Sequence, residues 1–140
     1  MLEDGGKDKD FTYRLTGKDS RLILHGFIYL VKAIHGDSTD HKLVIKLQPI
    51  VFTGTKLRDC AAIFSMYHLT EEVLAKLPKL CHDYFIAVAL FGSSVSGTVW
   101  SIGHLVYAHS KQMFDKYGTG LGINTMQGRE VKHVQIASFA

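Results

Sequence analysis

Three groups of residues in this sequence are of the types that chemistry requires. The first is Glu130, carried in GREVKH behind the glycine-rich run GTGLG, Gly118–Gly122. A carboxylate can bind a divalent cation or move a proton, and a glycine-rich turn ahead of a helix can cradle a phosphate on its amides. The second group is the pair Cys60 and Cys81, and the third is the set of eight histidines. GTGLG is neither G-x-G-x-x-G nor a Walker loop: the Gly-Lys-Ser/Thr ending is missing, and a helix rather than a strand precedes it. A structural account suffices. Gly118 closes one helix as a left-handed residue, and Asn124 caps the next, with Gln127 three positions on as in a capping box.

Glu130 is harder to assign to structure alone. At 100° per residue, Met126, Val134 and Ala137 fall within about 40° of it, so the carboxylate sits in an apolar face. Such a group needs a cation, a proton or a metal. His133 and Arg129 are the nearest partners, and Asp59 and Asp83 are the acids that could join it around a divalent ion. The cysteines form no CxxC pair, which argues against a disulfide framework or a zinc ribbon and for free buried thiols. The histidines follow neither HExxH nor another ligand spacing, and no GxSxG nucleophile turn is present.

The elements that must position these residues read as helices. RLILHGFIYLVKAIH, residues 21–35, is apolar on nearly every side and predicts one buried helix despite Gly26. GDSTDH, 36–41, is a turn with a side-chain cap for the next element. KLVIKLQPIVF, 42–52, fits an edge strand or a helix kinked before Pro49, and 56–68 is helical. Thr70 with Glu71 and Glu72 starts a helix that meets a kink or break at Pro78. Thr98–Tyr117 predicts a single helix with two apolar seams, Val99–Ile102–Val106 and Trp100–Tyr107–Phe114, enclosed by its neighbours. Residues 1–20 look like a loosely held arm, and 21–140 a single all-α domain of about five helices.

Composition narrows the function classes. At 140 residues the chain can bury a core, and its net charge of +3 is too small to identify a polyanion partner by itself. The first residues, MLEDGGKDKDF, carry no apolar run of the signal-peptide kind. YFIAVALFGSSVSGTVWSIG, 84–103, has no charge and is long enough to span a bilayer, but GSSVSG reads as a turn between two helices. No membrane association is expected.

Residues 98–140, and above all GLGINTMQGREVKH, resemble the C-terminal part of transposable-element-derived proteins of invertebrates, of the DDE, RNase H-like transposase kind. The resemblance implies that Glu130 matches the third catalytic acid, that residues 20–117 are similar to the helical insertion before it, and that Mg²⁺ or Mn²⁺ serves the complete enzyme. No strand ending in Asp precedes the helices, so the first two acids are missing. One glutamate cannot hold two metals, and the isolated chain is expected to be inactive, without a cofactor. The resemblance further implies a nuclear, intracellular location, the missing N-terminal part of a parent protein as partner, and weak nonspecific DNA binding through Lys111, Lys116, Arg129 and Lys132. Two alternatives remain open on the residues themselves. One is a helical protein-interaction module, the other a small membrane-associated helical protein.

Overall fold

A computed structural model describes residues 17–124. Six helices and one 3-10 turn make up the fold, and no strand occurs among the described residues. α1 is Gly17–His25, α2 Phe27–His35, α3 His41–Phe64, α4 Glu71–Phe91, α5 Gly97–His104 and α6 Val106–Tyr117, followed by the turn Leu121–Asn124. The all-α reading holds, with one helix more than expected. α1 begins at Gly17, inside the segment read as a loose arm.

Local chemistry sets the helix starts. Asp40 caps α3 by accepting from the Lys42 amide at 2.9 Å. Thr70 caps α4 through the Val73 amide, and Ser96 caps α5 through the Val99 amide, both at 3.3 Å. Glu71 and Glu72 add negative charge at the positive end of the α4 dipole. Gly118, at φ 65°, closes α6 as the left-handed residue that the sequence assigns it.

Four expectations about elements need correction. Of the two readings of 42–52 the helix holds and the edge strand does not; with 56–64 these residues form the single helix α3. Pro49 and Pro78 lie inside α3 and α4 and terminate neither. Each costs a backbone hydrogen bond, on the order of 3 kcal/mol, which at Pro78 the buried Leu77 and Cys81 offset. In α4 the buried stripe Leu74, Leu77, Cys81, Tyr84, Ala87 runs straight past Pro78. The single helix expected over 21–35 is interrupted at Gly26, whose amide ends α1 on the Leu22 carbonyl while its own carbonyl accepts from Tyr29 and Leu30 to start α2. The single helix over 98–117 is interrupted at Leu105, just after the point where Gly103 lies against Phe85 too closely for a Cβ.

The core sits at one end of the molecule. α4 packs against α3, α5 and α6, and the α3–α4 contact is the most extensive. Cys60, Ile63, Leu69, Leu74, Leu77, Cys81 and Tyr84 form the buried cluster, with Val99, Ile102, Val106 and Phe114 of α5 and α6 against it. α3 and α4 run antiparallel: Cys60 meets Cys81, while Lys56, one turn earlier, meets Asp83. The second seam is not enclosed throughout, since Trp100 remains about half exposed. α1 and α2 contribute nothing to the buried cluster. The segment 84–103 divides as the turn reading requires, α4 ending at Phe91 and α5 starting at Gly97. No helix among the described residues is long and apolar enough to cross a membrane.

Candidate functional site

The glycine-rich run is a latch. Gly120 donates its amide to the Tyr67 carbonyl at 2.9 Å, and Gly122 donates to the Met66 carbonyl at 3.1 Å. Both backbones press on the connection between α3 and α4, where a Cβ on Gly120 would collide with the Met66 carbonyl and one on Gly122 with the Ser65 carbonyl. These glycines are glycines because two stretches of backbone touch. Amides already spent on carbonyls are not aimed at a phosphate, so this run is no anion cradle.

Glu130, Arg129 and Lys132 lie outside the described residues, as do Gln127 and His133. Of the cationic candidates, Lys111 and Lys116 stand exposed on α6. Lys111 is bound to Asp115 one turn on, and that hydrogen bond and the adjacent charge raise its pKa. Lys116 lies over the Tyr117 ring, 5.1 Å from its centroid. The two acids proposed to join Glu130 are occupied. Asp59 accepts from Arg58, and Asp83 receives Lys79 at 2.8 Å and Lys56 at 3.0 Å. Those hydrogen bonds, Lys79 first and then Lys56, hold the Asp83 carboxyl below its usual range. No group of three or more His, Cys, Asp or Glu side chains among the described residues is placed to hold a metal.

Cys60 and Cys81 are free and fully buried, with their sulfurs 3.9 Å apart. Cys60 donates to Cys81, and this bond, with burial added to it, pushes the Cys60 thiol far up. The same bond lowers the Cys81 thiol, but both sulfurs lie behind a closed surface, and burial makes the pair packing groups rather than accessible nucleophiles. Tyr84, next to them, has its phenol pushed up by burial. Ser110 was not singled out by the sequence, yet its hydroxyl is wholly buried and has no hydrogen-bond partner among the described residues.

The most unusual surface is one the sequence reading placed in the core. In α2 the only residues with substantial cover are Phe27, Val31 and His35, a stripe of one residue per turn facing α3. The rest of this apolar helix is open: Tyr29 is 75% exposed and Ile34 62%, with Leu22 of α1 at 61%. No residue of α2 is buried. Leu22, Ile23, Gly26, Tyr29 and Leu30 shape a shallow hollow on this outer face. On the inner side, between α2 and α3, runs a separate cleft of about 580 Å³ walled by Val31, Val44, Leu47, Val51 and Phe52. Its polar lining includes Lys32, His35, Gln48 and Lys56, and no acidic residue.

No protein-family model matches the chain, and no curated protein or solved structure matches it.

Proposed function

We propose that this chain is a helical interaction module whose α1–α2 face packs against a helix of a protein partner. The carrying observation is that α2, FIYLVKAIH, is apolar around its whole circumference but covered along one stripe only. A helix of that kind is stable when it lies between two layers, and α3 supplies just one. A lipid surface is the poorer match, because an interfacial helix needs a strongly charged face and α2 carries a single lysine. A photo-crosslinking amino acid at position 30 or 34 tests this in cells. The expected result is a discrete protein adduct from both positions, abolished by Tyr29→Asp and missing when the probe is placed at Gln112 on α6. Lipid adducts, or adducts equally frequent at position 112, would overturn it.

A second reading rests on the resemblance of residues 98–140 to transposase-like proteins. It takes the chain as a catalytically inactive remnant with weak nonspecific affinity for DNA. Because Lys111 is already paired with Asp115, the charge for phosphate contacts comes from Lys116, Arg129 and Lys132. With three such contacts, raising salt from about 50 to about 200 mM should weaken binding about 40-fold through counterion release. Fluorescence anisotropy with a short duplex measures this. No binding at the lower salt by folded protein would remove the DNA reading and leave the interaction module.

A further inference from the structure

We propose that the cleft between α2 and α3 is a binding site for a single-chain anionic amphiphile, a long-chain fatty acid. This site is distinct from the outer α1–α2 face, and the proposal stands whether or not a protein packs there.

The shape comes from two helical stripes. On α3, Val44, Leu47, Val51 and Thr55 recur every three or four residues and line one wall from end to end. At 1.5 Å of rise per residue, Val44 to Lys56 is a trough about 18 Å long. It is long and apolar, the form of an extended acyl chain rather than of a compact polar metabolite. Its volume of about 580 Å³ lies in the range of small-molecule clefts.

The charge is one-sided. Lys32 and His35, on the last turn of α2, stand where the trough meets the turn into α3. His35 donates Nδ1–H to the Gly36 carbonyl at 2.9 Å, which makes Nε2 an acceptor in the neutral ring and leaves Lys32 as the donor to a head group. Lys56, the other cation of the lining, is bound to Asp83 and lies over the Phe52 ring, so its charge is largely met by the protein. The acids of the neighbouring turn do not line the trough, and Asp40 is engaged on the Lys42 amide. A carboxylate fits at the Lys32–His35 end, and the chain attached to it lies along Leu47, Val51 and Phe52. A neutral chain gains the apolar burial but not the head-group pairing.

The test is displacement of a dansyl-labelled fatty acid from the folded chain by myristate and by myristyl alcohol. Myristate is expected to displace the probe at lower concentration than the alcohol. Lys32→Glu should weaken myristate about fivefold, the scale of one exposed ion pair, and leave the alcohol unchanged. Filling the trough with Val51→Trp should abolish displacement by both. Gln48→Trp, at an exposed position on the lip, provides the same block should the first variant fail to fold. Tyr29→Asp and Ile34→Asp, on the outer face, should leave myristate binding intact. Failure to bind the probe, equal potency of acid and alcohol, or binding unaffected by a tryptophan in the trough would each overturn the proposal. Binding lost only in the outer-face variants would do so as well, and would locate the lipid on the face assigned to a protein partner.

Discussion

Ser110 carries a sharp expectation. Its hydroxyl is buried without a partner among the described residues, so it has given up water without a hydrogen bond from them in return. Ser110→Ala should therefore stabilise the protein by about 1 kcal/mol, read from the urea midpoint. A loss of stability would mean that the hydroxyl has an acceptor in solution. Asp83 gives a second expectation, with a definite sign. Its carboxyl titrates lower in the folded protein than in the unfolded chain because Lys79 and Lys56 hold the charged form. That contribution is complete above about pH 5 and fades as pH falls through about 4 and below. Asp83→Asn should lower stability at neutral pH and flatten the acid limb of the profile, while Asp115→Asn on the open face of α6 should barely change it. At this scale the sequence was legible where a side chain answers to its own backbone: the Thr70 cap and the left-handed Gly118 are examples. Ser110 was not legible, since nothing local distinguishes a buried serine from a surface one. The positions of Arg129, Glu130 and Lys132 fall outside the described residues.

Among the elements, the informative contrast is between α2 and α4. The sequence predicts a buried helix at α2, yet the buried one is α4, with five buried residues against none. Apolar content says that a helix needs cover without saying which neighbour supplies it. Pro49 left an edge strand and a kinked helix both open. A local rule against proline in helices gave way to two long helices with shared packing, which is a tertiary effect. The contrast has a measurable result. Amides of α1 and α2 should exchange with solvent through local opening, whereas those of α4 around Leu77 and Cys81 should exchange only with unfolding of the whole core. Hydrogen exchange read by mass spectrometry separates the two. Equal protection in α2 and α4 of the isolated chain would show that something already covers α2.

For the molecule as a whole, the asymmetry is between a packed end made by α4, α5, α6 and the second half of α3, and an open end made by α1, α2 and the first half of α3. The all-α class followed from helical spacing alone. The division into a closed and an open half did not, because it depends on which apolar stripes find each other after the chain has turned back. The same is true of the trough between α2 and α3. Its residues come from two segments whose periodicity was visible but whose pairing was not.

The latch at Gly120 and Gly122 joins residues that are more than fifty positions apart in the chain, through the carbonyls of Met66 and Tyr67. It can close only after α4, α5 and α6 have all folded back, so it belongs to the last steps of assembly rather than to the nucleus. Interactions formed after the transition state govern how fast a protein comes apart, not how fast it forms. Gly120→Ala, which puts a methyl group into the Met66 carbonyl, should leave the refolding rate unchanged and speed unfolding by about tenfold. Stopped-flow denaturant jumps in both directions measure the two limbs. A slower refolding limb would place the latch in the nucleus instead. With the expected outcome, two small residues near the end of the described chain determine the lifetime of the native state.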